Sequence, residues 1–156
     1  MNDVITEQAI EWKYNDGGRR DAGFKGSTGD CVVRAIAIAT PMTYLEAYEL
    51  INIEASRERP RGKRKRSSAR TGVNRRTIHR MLTSMGFEWT PTMGIGTGCR
   101  VHLRANELPS GVLIVSLSRH VCAVLNRVVY DTHDPSRAGS RCVYGYWKWG
   151  TECQNA

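Results

Sequence analysis

Two residues of this sequence could act as a nucleophile and its base: Cys31 and His120. Cys31 begins the run CVVRAIAIA, whose almost continuous apolar character predicts a buried helix. A thiol in the first turn of a helix faces the positive end of the helix dipole, which favours the reactive thiolate. His120 begins the strand-like run HVCAVL far along the chain, so the two residues can meet only through the tertiary fold. The pair predicts nucleophilic chemistry at sulfur.

A carboxylate that could orient His120 follows in the next strand-like run, RVVYD. If HVCAVL and RVVYD form a hairpin with positions 126–127 as a two-residue turn, His120 and Asp131 share one face of the sheet. Asp131 can then accept a hydrogen bond from one ring nitrogen and leave the other for the thiol. A bulge or a three-residue turn would reverse the face and favour Asp134. The predicted catalytic set is therefore Cys31, His120 and Asp131.

Three helices are predicted in the first half of the chain. Asp30 precedes the run CVVRAIAIA and is expected to cap that helix through its carboxylate. Thr43 and Glu46 have the spacing of a capping box, which predicts the start of a second helix. Asn74 is expected to cap a third helix, which Gly86 ends.

Strand patterns dominate the second half, and the helices come before them. An early strand is predicted at 10–14, and later ones at FEWTPT, GVLIVSL, HVCAVL, RVVYD and RCVYGYWKW. Helices followed by antiparallel strands predict an α+β fold in which the cysteine-bearing helix packs on the sheet. A chain of 156 residues is long enough to form one domain, so 1–156 is predicted to be a single domain.

The segments GDCVVRAIAIA, RHVCAVL and VVYDTHDP, in this order, resemble the papain-like cysteine peptidases. They are similar in particular to bacteriocin-processing peptidases and to small bacterial or phage papain-like proteins. The resemblance implies a papain-like fold, with N-terminal helices and a central cysteine-bearing helix packed on a C-terminal antiparallel sheet. It also implies a thiol peptidase that acts on peptide, isopeptide or other amide bonds of a peptide or protein substrate, without a cofactor.

The chain departs from this family where the oxyanion-hole glutamine would stand. The loop before Cys31 carries no amide side chain and offers Lys25, Ser27 and Thr28 instead. The Cys31 backbone N–H, helped by Ser27 or Thr28, is the expected oxyanion donor. Losing one such donor costs about a hundredfold or more in rate. The alternative hypothesis is therefore a catalytically weak or inactive papain-like scaffold.

The positive charge of the chain is concentrated in one segment. The net charge is +8, and residues 57–80 contain eleven lysines and arginines against one glutamate. The stretch RPRGKRKRSSAR has no large apolar residue, so a basic loop insertion is predicted at about 57–72. Such a loop suits the phosphates of nucleic acid or an acidic protein surface, and both partners stay open. The predicted binding residues are Arg61, Lys63, Arg64, Lys65 and Arg66.

Five cysteines with irregular spacing and no CxxC pattern favour reduced thiols over a disulfide framework. The N-terminal segment has no basic region followed by an apolar one, so no signal peptide is predicted. No apolar stretch is long enough to span a bilayer. These patterns predict a cytoplasmic protein without membrane contact. His120, Cys122, His133 and Asp134 do not form a recognisable zinc framework, and no metal is predicted. The oligomeric state stays open.

Overall fold

A computed structural model describes residues 9–26 and 28–150 of the chain. Within these residues the fold is mixed α+β, with three α-helices and one sheet of six strands. The helices are α1 (Cys31–Ala39), α2 (Tyr44–Ser56) and α3 (Arg75–Ser84). A short 3₁₀ turn at Ala105–Glu107 precedes the last four strands.

The six strands are β1 (Glu11–Tyr14), β2 (Phe87–Pro91), β3 (Val112–Leu117), β4 (His120–Leu125), β5 (Val128–Asp131) and β6 (Gly145–Trp149). Their order across the sheet is β1-β5-β4-β3-β6-β2. All neighbours are antiparallel except β1 and β5, which run parallel. The C-terminal strands β2 to β6 are antiparallel as predicted, and the early strand, for which no direction was predicted, adds a parallel edge that makes the sheet mixed. The direction of β1 depends on the long chain between it and β5, which local patterns do not encode.

The sheet separates two apolar cores. Alternation along β3 places Ile114 in the core shared with the helices, and Leu113 and Val115 in the core on the opposite face. Helix α1 packs against β4, β3 and β5 and also contacts α2. The predicted packing of the cysteine-bearing helix on the sheet is confirmed, and it brings the start of α1 close to the hairpin formed by β4 and β5.

The hairpin between β4 and β5 has the predicted two-residue turn. Asn126 and Arg127 have φ values of 47° and 65°, and Leu125 pairs with Val128. Two consecutive positive φ values are typical of the type I′ turn, whose twist matches that of the flanking strands. The register therefore places Asp131 on the same face as His120, as the sequence pattern predicts.

The helix ends follow the predictions in part. The capping box at α2 is confirmed, because the Thr43 hydroxyl accepts from the Glu46 N–H and the Glu46 carboxylate accepts from the Thr43 N–H. Gly86 follows α3 with φ 99°, as expected. Asp30 and Asn74 occupy N-cap positions, but neither side chain caps its helix. Both side chains have partners elsewhere, which are described below.

The segment 57–72, where a basic loop insertion is predicted, contains no helix or strand of its own. It is nevertheless anchored to the helices. Ser67 and Ala69 are buried, and the Ala69 N–H donates to the side chain of Asn52 in α2.

The cysteine prediction is wrong for one pair. Cys99 and Cys142 form a disulfide, with their Cα atoms 5.8 Å apart. Backbone hydrogen bonds between segments 101–103 and 141–143 bring the two residues together, although they lie 43 residues apart in the chain. Because disulfides are typical of oxidising compartments, cysteine usage no longer argues for the cytoplasm. In the described part of the chain, no helix has the length and apolar character needed to cross a membrane.

Candidate active site

Cys31 stands at the first position of α1 and is half-buried beside a cleft. The first backbone hydrogen bond of the helix runs from the Arg34 N–H to the Asp30 carbonyl, 3.1 Å away. The N–H groups of Cys31 and Val32 therefore come before the intrahelical bonds and lie at the positive end of the helix dipole. A thiolate and a developing oxyanion would both be stabilised there.

His120, at the start of β4, lines the same cleft as Cys31. Its Nε2 lies 2.5 Å from Oδ2 of Asp131, the last residue of β5. Asp134 does not compete for this position, because its carboxylate accepts from the Ser136 N–H at 2.9 Å. Since Nε2 is engaged with Asp131, Nδ1 is the ring nitrogen left for the thiol. The structure thus brings the three predicted residues to one place and favours Asp131 over Asp134.

The environment of His120 favours its charged form. Burial lowers the pKa of the imidazole, but the hydrogen bond with Asp131 and the interaction with the Cys31 side chain outweigh burial and raise the pKa to about 9. Burial raises the pKa of Asp131, but the interaction with His120, helped by the Thr132 N–H and Arg34, leaves it below its ordinary value. At neutral pH an imidazolium is therefore held between the Asp131 carboxylate and the Cys31 side chain.

A buried cation outside the predicted catalytic set supports this arrangement. Arg34 extends from α1 between two carboxylates, forming an ion pair with Asp30 and another with Asp131 at 3.2 Å. Asp30 is fully buried, and its other oxygen accepts from the Tyr44 hydroxyl at 2.6 Å. The carboxylate that was expected to cap α1 therefore binds Arg34 and Tyr44 instead.

Arg34 carried a signal that could have revealed this role. It is the one charged residue in the run CVVRAIAIA, and a charge on a buried helix requires a partner. It also follows Cys31 by three residues, so the two side chains lie on one face of the helix. That face points to the hairpin that carries His120 and Asp131.

The loop before Cys31 is held by the end of the basic segment. The Arg70 carbonyl accepts from the Gly29 N–H at 2.7 Å and from the Thr28 hydroxyl at 2.9 Å. The Arg70 guanidinium donates to the Lys25 carbonyl. Because its hydroxyl proton is donated to Arg70, Thr28 does not supply the expected oxyanion donor. Ser27, the other candidate, lies outside the described residues.

A cleft of about 590 Å³ opens over the cysteine and histidine. Its walls come from the loop before α1, from 71–73, and from the ends of the strands. Exposed cations, Arg75 and Arg119, lie on these walls beside apolar residues such as Val73 and Ile78. A site of this size accommodates a small ligand or a few residues of an extended peptide.

His120, Asp131 and His133 also form a group that could bind a metal ion, with ligand atoms within 4.8 Å of one another. The His120 and His133 rings are 5.1 Å apart, as expected for residues that face each other across the hairpin. Both Asp131 oxygens are already engaged, one by His120 and the other by Arg34 and the Thr132 N–H. A cation here would have to displace these contacts and approach the Arg34 guanidinium, so the surroundings favour the thiol and imidazole pair.

The other described free thiol belongs to Cys122, which is buried inside the sheet. Burial raises its pKa, so it should remain an unreactive thiol. The predicted binding residues of the basic segment lie apart from this site. None of Arg61, Lys63, Arg64, Lys65 and Arg66 lines the cleft over Cys31.

No family model, curated protein or solved structure matches this chain.

Proposed function

We propose that this protein is a papain-like thiol hydrolase that attacks peptide, isopeptide or related amide bonds, with Cys31 as nucleophile, His120 as acid and base, and Asp131 as the orienting carboxylate. The observation that carries the proposal is the shared cleft of Cys31 and His120, together with the 2.5 Å contact between His120 and Asp131. An activated thiol, a base and a group that orients the base are the parts that nucleophilic acyl transfer requires.

In the first half of the reaction, the Cys31 thiolate attacks the carbonyl carbon and forms a carbon–sulfur bond. The charge that develops on the carbonyl oxygen is stabilised by the free N–H groups at the start of α1. The intermediate collapses as the carbon–nitrogen bond breaks, and the His120 imidazolium gives its proton to the leaving amine. The product of this step is an acyl thioester on Cys31.

In the second half, neutral His120 removes a proton from water, which attacks the thioester carbon. The carbon–sulfur bond breaks, the acid product leaves, and the thiolate and imidazolium are restored. Asp131 holds the ring orientation throughout, and Arg34 holds Asp131. The first half therefore ends with neutral His120, which can act as a base, and the second ends with the imidazolium, which can act as an acid.

The hydrogen-bond donors available to the oxyanion favour a slow or substrate-restricted catalyst. The Thr28 hydroxyl donates to the Arg70 carbonyl. Among the described residues, the backbone N–H groups at the start of α1 are therefore the oxyanion donors next to Cys31. If a well-fitting substrate is needed to bring further oxyanion donors into place, the rate depends strongly on the substrate. The alternative, an inactive papain-like scaffold, predicts a thiol with ordinary reactivity.

The proposal is tested with p-nitrophenyl acetate, a small activated ester that requires no knowledge of the natural substrate. The wild-type chain should release a burst of p-nitrophenolate and carry an acetyl group on Cys31, detected by peptide mass spectrometry. Cys31→Ala should remove both signals, and His120→Ala should slow the burst. Release at the rate of free cysteine, with no acetyl group on Cys31, would support the scaffold instead. A peptide library screened against wild type and Cys31→Ala would then define the bond.

A further inference from the structure

A second groove, distinct from the cleft over Cys31, lies between the C-terminal end of α2 and the N-terminal part of α3. We call it the basic groove. It has a volume of about 380 Å³ and is closed on one side by the loop 57–65. Its cationic lining residues are Arg57, Arg59, Arg61, Arg64, Lys65, Arg76 and Arg80.

Most of these cations have no carboxylate partner. Glu54 is shared by Arg57 and Arg80, at 3.2 and 3.4 Å. Among residues 9–26 and 28–150, no carboxylate lies within 4.0 Å of a charged nitrogen of Arg59, Arg61, Arg64, Lys65 or Arg76. Unpaired cations gathered around one groove repel each other, and a polyanion would relieve this repulsion.

The one carboxylate in the lining, Glu58, offsets only one of the seven positive charges. Its oxygens accept from the Ser67 N–H at 2.8 Å, from the Thr77 hydroxyl at 2.5 Å and from the Asn74 amide at 3.3 Å. Burial raises the pKa of Glu58, but these hydrogen bonds outweigh burial and leave the pKa below its ordinary value. Glu58 thus fastens the loop to the start of α3 and holds the cations in place.

The chemistry of the lining distinguishes between polyanions. Apart from Pro60, every lining residue is polar or charged, and none is aromatic. Protein partners normally need an apolar or aromatic centre in the contact area, and this groove does not offer one. Arginine, which supplies six of the seven cations, presents a planar fork of donors that matches phosphate oxygens.

We infer that the basic groove binds the phosphodiester backbone of a nucleic acid. Without aromatic side chains for base stacking, the contacts are made to phosphates and carry little sequence preference. Three of the predicted binding residues, Arg61, Arg64 and Lys65, line the groove, whereas Lys63 and Arg66 do not. Arg76 and Arg80 join from α3. The inference is independent of the thiol chemistry, because binding is measured without turnover.

The test is fluorescence anisotropy of a short labelled DNA duplex of mixed sequence, titrated with the full chain at several salt concentrations. Two variants remove the same charge. The groove variant carries Arg59→Gln, Arg61→Gln and Arg64→Gln, and the control variant carries Arg20→Gln, Arg100→Gln and Arg137→Gln at exposed sites elsewhere. The groove variant should weaken binding on the order of tenfold and reduce the salt slope by about two to three, whereas the control should change both far less.

A third variant, with Arg59→Lys, Arg61→Lys and Arg64→Lys, keeps the charge. It should keep the salt slope of wild type and bind more tightly than the groove variant, which separates lost charge from a folding defect. Equal weakening by the groove and control variants would overturn the inference, because it would show attraction to net charge alone. Absence of binding at low salt would overturn it as well. So would displacement of the duplex by poly-glutamate as effectively as by unlabelled duplex, which would indicate an acidic protein partner.

Discussion

The His120 imidazole is bound to the Asp131 carboxylate through Nε2 and Oδ2, 2.5 Å apart, across the tight hairpin of β4 and β5. This contact fixes the ring so that its other nitrogen is left for Cys31. Replacing Asp131 with Ala removes the carboxylate that binds and orients the ring. We expect the rate of Cys31 acylation by p-nitrophenyl acetate to fall by up to about ten-thousandfold, the loss associated with removing the orienting carboxylate of a triad. Asp134→Ala is the matched control and should leave the rate close to that of wild type.

The protonation of His120 can be read directly. Because Asp131 and Cys31 raise its pKa to about 9 despite burial, the His120 ring should titrate well above His79. Burial and the nearby Arg75 lower the pKa of His79, so that ring should titrate below 6.5. Imidazole carbon–proton NMR shifts followed against pH, and assigned with His120→Gln, measure both. A His120 midpoint at or below 6.5 would contradict the arrangement, and Asp131→Asn should lower the midpoint from its wild-type position.

The same shift makes the stability of the fold depend on pH. The folded pKa of His120, about 9, lies above its ordinary value of 6.5. Protonated His120 therefore stabilises the fold fully below pH 6.5, and this contribution disappears as the pH rises through about 9. Thermal unfolding of wild type and His120→Gln should show the largest difference in Tm below pH 6.5 and a smaller one above pH 9. A difference in Tm between the two proteins that stays constant or grows with pH would contradict this prediction.

Removal of the Arg34 guanidinium should destabilise the protein strongly. Asp30 and Asp131 are buried on either side of it, so Arg34→Met leaves Asp30 with Arg19, at 3.5 Å, and Asp131 with His120 as their remaining cationic partners. We expect the free energy of unfolding to fall by about 3 kcal/mol, the lower end of the cost of breaking a buried ion pair, measured by urea denaturation. Adding Asp30→Asn should recover part of the loss, because one of the two buried negative charges is then removed. Full stability of Arg34→Met would show that the ion pairs do not organise this site.

Gly29 tests how tightly the loop before Cys31 is held. A Cβ atom at this position would lie 2.9 Å from the Thr71 carbonyl oxygen, so Gly29→Ala must displace one of the two segments. Because the displaced segment leads directly into Cys31, the acylation rate should fall by up to about a hundredfold. Gly94→Ala is the control, since its Cβ would make only an ordinary contact of 3.6 Å. Equal rates for the two variants would show that this loop does not position the nucleophile.

The predictable part of the site follows from local patterns. The apolar run after Cys31 identified α1, and the turn at 126–127 fixed the register that aligns Asp131 with His120. A period-2 strand reveals which residues share a face as soon as its turn length is known. For this reason the hairpin pattern by itself favours Asp131 over Asp134.

The remaining features depend on residues that meet only in three dimensions. Asp30 was expected to cap α1, but tertiary contacts with Arg34 and Tyr44 win over the local cap. The disulfide at Cys99 requires two segments to pair at a distance, as does the parallel edge of the sheet. The basic groove combines a loop with the exposed side of α3, which a count of charges along the chain does not reveal.

The central claim is that Cys31 and His120 form an activated pair, and alkylation tests it most directly. Iodoacetamide labelling of each cysteine is followed against pH by mass spectrometry in wild type and in His120→Ala, with buried Cys122 as an internal reference. We predict that Cys31 labels faster than free cysteine at every pH tested, that His120→Ala slows this labelling, and that Cys122 labels hardly at all in the folded protein. Labelling of Cys31 no faster than that of free cysteine, and unchanged by His120→Ala, would contradict the activated pair.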